Sequence, residues 1–162
     1  MRMLLLTGGV ALSVLAAVVV VGLRVLGEDD PTWAESATAA CERGLAEARA
    51  AVSAGKQVAG LERRTLQVYD ASTEIEAVVL AELEELSRPS EDELAIERTL
   101  SILEDSHAAD ATTIARLRRD FDAEVLERRV NETIPILADV RARFRALGAT
   151  GCVRYYDPES YR

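Results

Sequence analysis

Histidine, cysteine and aromatic side chains are all scarce in this sequence. Its 162 residues include one histidine and two cysteines, and aromatic residues make up only 4 % of the chain. Metal centres and catalytic triads draw on histidine in combination with other ligands or nucleophiles. Phosphate-binding loops need glycine-rich segments of defined spacing, and no such loop can be assembled from this sequence. We therefore expect no enzymatic activity, no metal and no cofactor.

Positive charge is the second shortage. The chain carries 19 lysine and arginine residues against 28 aspartate and glutamate residues, a formal net charge of −9. Nucleic-acid-binding proteins need a basic surface that displaces counterions from phosphates, so this balance argues against such a role. What is present, 49 % hydrophobic residues with few aromatics, is typical of long helices with thin cores.

One long apolar segment occupies residues 3–23 and contains no charged side chain. A helix needs about 20 apolar residues to cross the hydrocarbon of a bilayer, whereas the core of a secretory signal peptide has about 7–15. Residues 1–27 are therefore predicted to form a single-pass transmembrane signal-anchor. The alternative is a signal peptide, whose cleavage would leave a secreted body.

Small residues recur along one face of this segment. Gly9, Ser13 and Ala17 lie four residues apart, a spacing that allows membrane helices to approach closely. The face is a candidate for homodimer contacts, although small residues are common in membrane helices generally. Arg2 and Arg24 flank the segment evenly, so the positive-inside rule does not orient it.

After a polar hinge at residues 28–32, apolar residues recur at the 3–4 spacing of amphipathic helices. The clearest interruption is Ser87-Arg88-Pro89-Ser90. Here the proline ends one helix, and Ser90 is predicted to cap the next with Glu93 at its N3 position. A capping box at the start of the body and a terminating glycine at its end are also predicted, from Thr32, Glu35 and Gly148.

The stretches on either side of this turn, 33–86 and 91–147, have nearly equal lengths. The predicted fold is all-α, with an N-terminal transmembrane helix followed by an elongated antiparallel helical hairpin or coiled coil. If the chain also breaks at residues 55–60 and 131–135, it forms a compact three- or four-helix bundle instead. The uninterrupted pattern over residues 91–130 favours the elongated form.

Cys41 and Cys152 lie near opposite ends of the body. In a hairpin, the tail after Gly148 folds back to about the level of Cys41, so a disulfide between the two cysteines is predicted. Disulfides persist in oxidising compartments. This favours a body outside the cell membrane, with the N-terminus inside.

Glu104 and His107 have the Glu-x-x-His spacing of di-iron carboxylate bundles. That chemistry needs a second such pair, and the sequence has no other histidine. We therefore predict no metal here and place His107 in the helix seam near Asp70 and Thr73.

The tail, residues 148–162, holds three of the four tyrosines: Tyr155, Tyr156 and Tyr161. Tyrosine is favoured at protein interfaces, so these are candidate contacts for a partner, the alternative being a tail packed on the bundle base. We predict a membrane-anchored, extracytoplasmic structural or interaction protein of the cell envelope that binds a protein partner. The alternative is a ligand-sensing helical-bundle ectodomain that acts through a membrane partner.

Overall fold

The computed structural model describes residues 30–161, and every regular element in that range is helical. The five α-helices are α1 (Trp33–Gly55), α2 (Leu61–Glu85), α3 (Glu93–Leu117), α4 (Ala123–Ala146) and α5 (Thr150–Tyr155). A 3-10 helix, Pro158–Tyr161, follows α5. The predicted anchor at residues 3–23 and its face of Gly9, Ser13 and Ala17 lie outside the described residues. Over the part that is described, no helix combines the length and apolarity needed to cross a membrane.

The first four helices pack as a compact bundle from Thr32 onward. They contain 23, 25, 25 and 24 residues, which at 1.5 Å per residue corresponds to about 35–38 Å each. Each helix packs against the next along the chain. The predicted all-α class is therefore confirmed, the preferred elongated hairpin is wrong, and the four-helix alternative is correct.

Of the two additional helix breaks that the four-helix alternative requires, the sequence located the first correctly and the second incorrectly. The chain turns after Gly55 as the alternative predicted, and Gly60, at the start of α2, has a left-handed φ of 88°. The second break falls at residues 118–122, not at 131–135. There the Asp122 carboxylate accepts hydrogen bonds from the amides of Glu124 and Val125 at 2.9 and 3.3 Å, an N-cap that starts α4.

Pro135 lies inside α4 and does not end it. A helical proline frees the carbonyl group four residues earlier, which here belongs to Asn131. Both residues are exposed, so water can hydrogen-bond that carbonyl. The predicted break at this proline is wrong because its cost falls on the solvent-facing side of the helix.

Helix caps follow the sequence at the ends of the body but not at the central turn. The Thr32 hydroxyl accepts from the Glu35 amide at 3.2 Å, and the Glu35 carboxylate accepts from the Thr32 amide at 2.8 Å. Gly148, with φ of 77°, ends α4 as predicted. Ser90 does not cap α3, because that helix begins at Glu93, after an irregular connection over residues 86–92.

Helix α5 packs against both α1 and α4 and closes the bundle. It approaches α1 at Gly151, where a Cβ atom would lie only 2.3 Å from the carbonyl oxygen of Thr38. Glycine is therefore required for this contact. The approach brings the sulfur atoms of Cys41 and Cys152 to 2.01 Å, a disulfide-bonding distance.

The hydrophobic core is concentrated at the end of the bundle that α5 covers, where α1 and α3 begin and α2 and α4 end. Its fully buried side chains include Leu83, Ile96, Leu103, Val140 and Phe144. The Phe144 ring stacks between Trp33 at 6.5 Å and Tyr156 at 5.7 Å between centroids. We call this part of the bundle the closed end.

Candidate functional site

Beside the closed end, the interior opens into a cavity of about 230 Å³ to which all four long helices and the tail contribute. Its apolar wall is formed by Ala48, Val52 and Leu137. Its aromatic wall consists of four tyrosines, which are Tyr69, Tyr155, Tyr156 and Tyr161. We call this region, with the polar groups described below, the cavity end.

The inner faces of the helices run without interruption from the closed end into the cavity end. On α2, the positions Tyr69, Thr73, Glu76, Leu80 and Leu83 are spaced by three or four residues, so they share one face. Leu80 and Leu83 belong to the hydrophobic core, whereas Tyr69, Thr73 and Glu76 line the cavity. The sequence analysis did not identify Glu76 as a site residue. Its signal was available, because Glu76 occupies a position at which the helical spacing of the inner face calls for an apolar side chain.

A buried polar network forms one side of the cavity end. Asp110 accepts hydrogen bonds from the Tyr69 hydroxyl and, at 2.7 Å, from Nε of Arg129. Nη2 of Arg129 donates to the carbonyl and hydroxyl oxygens of Ser106 at 2.7 and 2.9 Å. Since Asp110 and Arg129 are both buried, their mutual neutralisation removes the cost of an isolated buried charge. The polar groups of this network therefore find their hydrogen-bond partners within the protein.

Glu76 is the second acidic side chain of the cavity, and its side chain is 17 % exposed. Burial, with a smaller contribution from the negative charge of Asp110, raises the pKa of this carboxyl to about 7, although the positive charge of Arg129 opposes the shift. Its partner on α3 is His107, whose Nδ1 lies 3.4 Å from Oε2 of Glu76. Perturbed carboxyls in clefts are characteristic of functional sites.

His107 lies in the seam between α2 and α3 as predicted, but in a different register. It faces Glu76, six residues further along α2 than Asp70. Asp70 instead pairs with Arg118. The predicted four-residue turn is in fact an irregular connection over residues 86–92.

Glu104 does not join His107 in a common site. Its carboxyl hydrogen-bonds to that of Glu84, an interaction that raises the pKa of Glu104. Within the described residues, no three metal-ligating side chains come close enough together to hold a metal ion.

The tail tyrosines are part of the interior. Tyr155 and Tyr156 are each only 4 % exposed, and the Tyr161 hydroxyl donates to the carbonyl oxygen of Tyr155. These residues were predicted as candidate partner contacts, yet the structure directs them to the cavity because α5 folds back over the bundle. The alternative prediction, a tail packed on the bundle, describes them correctly.

The Tyr156 hydroxyl is buried beside the cavity and has no hydrogen-bond partner among the described residues. Burial, and to a lesser degree the charge of Glu76, raises the pKa of this phenol. The phenol therefore stays neutral at physiological pH and can both donate and accept a hydrogen bond. An unsatisfied buried hydroxyl is unusual in a folded protein and needs an explanation.

No protein-family model, no curated protein and no solved structure matches this chain. Its class is thus defined by its own fold and site. It is a four-helix bundle, closed by a short C-terminal helix, with a cavity that contains a buried carboxyl group.

Proposed function

We propose that this chain is a ligand-binding helical bundle that takes a small molecule into its cavity end. The observation that carries this proposal is one cavity that places a largely buried carboxyl group with a raised pKa, that of Glu76, near the unpartnered hydroxyl of Tyr156. Each disfavours the folded state while the cavity contains no complementary ligand. Proteins tolerate such groups chiefly where function requires them.

The size of the cavity limits the ligand. A cavity of about 150 Å³ in another protein accommodates benzene, and the cavity here is about 230 Å³. Sites for drug-sized molecules begin at about 300 Å³. The ligand of this bundle is therefore a compact molecule, somewhat larger than benzene.

A cavity-filling variant tests this function without assuming the chemistry of the ligand. Ala48 is buried in the cavity wall, so Ala48→Leu adds a side chain directly into the binding volume. Ligand-observed NMR with a mixture of cationic, neutral and anionic fragments should find binders to the full-length chain that Ala48→Leu no longer binds. If Ala48→Leu does not fold, Val52→Phe fills the same wall. Fragments that bind equally well to a folded, filled variant would contradict the proposal.

We also propose that the bundle is non-enzymatic, that it lies outside the cell membrane and that residues 3–23 anchor it. In this proposal, ligand binding is signalled through a protein partner in the membrane. Support comes from the apolar length of that segment and from Cys41 and Cys152 at disulfide-bonding distance, which favours an oxidising compartment. A membrane-impermeant thiol reagent should label intact cells only after an external reductant is added. Labelling that needs cell lysis and no reductant would overturn this placement.

A structural or interaction role in the envelope is the second candidate function. The observation that favours it is the pair Val130 and Ile134, which lie one turn apart on the outer face of α4 and are both exposed. A photo-crosslinking residue at position 134 should then yield a discrete adduct in intact cells, whereas one at the exposed polar position Glu127 should not. Equal adducts at both positions would argue against a specific partner.

A further inference from the structure

We infer that the ligand of the cavity is a small organic cation, an ammonium group on a compact apolar body, with the ammonium placed at Glu76 among the tail tyrosines. This inference rests on the proposed ligand-binding function and specifies the class of molecule that binds.

The charges around the cavity favour a cation. Two carboxylates line it, Glu76 and Asp110, and none of its lining residues in the described part of the chain is basic. The nearby guanidinium of Arg129 is already bound to Asp110 and Ser106. An anionic ligand would therefore add a second negative charge beside Glu76 in a partly desolvated site, whereas a cation would neutralise the Glu76 carboxylate.

The walls of the cavity suit the remainder of such a ligand. Four tyrosine rings stand around it, and the rings of Tyr155 and Tyr156 meet edge to face with centroids 4.8 Å apart. The faces of aromatic rings carry negative potential and attract ammonium groups, an attraction that is strongest when the site is desolvated. Ala48, Val52 and Leu137, which also line the cavity, provide an apolar surface. An ammonium group attached to a small hydrocarbon matches both surfaces.

The unpartnered Tyr156 hydroxyl adds directional recognition. A primary ammonium group has three N–H donors, and each needs an acceptor once it leaves water. In the proposed complex the Glu76 carboxylate accepts one of them, and the Tyr156 hydroxyl, which is buried and has no partner among the described residues, accepts another. One ligand would thus neutralise the Glu76 carboxylate and give the Tyr156 hydroxyl a hydrogen-bond partner.

Three probes of similar size and different charge test this inference. Isothermal titration calorimetry would use benzylamine, benzyl alcohol and benzoate with the full-length chain in a non-ionic detergent, at about pH 8, where benzylamine is protonated and the Glu76 carboxyl is mostly ionised. Benzylamine should bind at least about tenfold more tightly than benzyl alcohol, and benzoate should bind more weakly than both.

Substitution of two neighbouring glutamates provides the matched control. Glu76→Gln keeps the shape of the side chain and removes its charge, so the affinity for benzylamine should fall by about tenfold or more while that for benzyl alcohol stays within about twofold. Glu74→Gln makes the same change at an exposed position on the same helix and should leave both affinities unchanged. If Glu76→Gln does not fold, Tyr156→Phe should still weaken benzylamine more than benzyl alcohol.

The outcomes separate this inference from the proposed function. If benzyl alcohol or benzoate binds as tightly as benzylamine and Ala48→Leu abolishes that binding, the cavity is a ligand site but the assignment to cations is overturned. Equal loss of benzylamine binding in Glu74→Gln and Glu76→Gln would also overturn it. If no fragment of any charge binds in an Ala48-dependent manner, the ligand-binding function itself fails.

Discussion

The closed end and the cavity end are built from the same four helices and differ in what their inner faces bury. At the closed end the inner positions are apolar, as at Leu83, Ile96 and Phe144, and the tail is held next to α1. At the cavity end the same faces carry Glu76 and Asp110. The spacing of residues along each helix therefore decides which side chains face inward. Whether those side chains are apolar or charged decides whether the interior packs as a core or leaves polar groups beside a cavity.

Removing the covalent closure should have the largest effect on stability. Cys41 and Cys152 are separated by 111 residues, and a crosslink over that length stabilises the folded state by roughly 4–5 kcal/mol in the chain-entropy model. The double variant Cys41→Ala/Cys152→Ala should lose about this much in urea unfolding, and a reductant should reproduce the loss in the wild type. A wild type insensitive to reductant, with free thiols, would contradict the proposed disulfide.

Truncating an aromatic ring at the closed end should be the next most damaging change. Phe144 is fully buried between two other rings, so Phe144→Ala should lower the free energy of unfolding by about 3–5 kcal/mol. The other phenylalanine, Phe121, is only partly buried in the connection before α4. Phe121→Ala should lose less than half as much by the same measurement. Similar losses in both variants would show that the closed end is not the main source of stability.

Local signals predicted the ends of this fold well. The capping box of Thr32 and Glu35, the glycine after α4 and the proximity of the two cysteines all depend on residues close in sequence or on chain ends that must meet. The break before α4 was missed because its signal is a single aspartate, Asp122, without glycine or proline. Pro135 misled the prediction because proline disrupts a helix little where the freed carbonyl is solvated.

The cavity was harder to predict than the fold. Glu76 and Asp110 fall in phase with the apolar stripes of their helices, a visible sign that buried charge is present. Which residue neutralises each charge is not set by spacing within one helix. Arg129 on α4 pairs with Asp110 on α3, and His107 on α3 pairs with Glu76 on α2. Such pairings depend on tertiary register, which sequence spacing does not fix.

At the cavity end, removing a charge should increase stability. The pKa of the Glu76 carboxyl rises from its ordinary value of 4.5 to about 7 on folding, so between these values the folded state binds more protons than the unfolded state. The contribution of Glu76 to stability therefore falls as pH rises through this range, by roughly 3–4 kcal/mol in total. Glu76→Gln should remove this dependence and unfold at a higher temperature than the wild type at about pH 8.

The comparison across pH provides its own control. Below about pH 4.5 the two proteins should have similar stabilities, because Glu76 is then protonated in both folded and unfolded states. Glu74→Gln should follow the wild type over the whole range. A wild type that becomes more stable between about pH 5 and pH 7, relative to Glu76→Gln, would show that the carboxylate is well accommodated and would weaken the case for a ligand site.

The smallest expected effect distinguishes two tyrosines of the tail by its sign. The Tyr156 hydroxyl has no partner among the described residues, so Tyr156→Phe should raise the free energy of unfolding by about 1 kcal/mol. The Tyr161 hydroxyl donates to the Tyr155 carbonyl, so Tyr161→Phe should lower it by about 0.5–1.5 kcal/mol. Chemical denaturation of the two variants measures both changes. If both variants lose stability, the Tyr156 hydroxyl is already satisfied in the unliganded protein. If the signs are opposite, the cavity end keeps a polar group that reduces stability and that a ligand can satisfy.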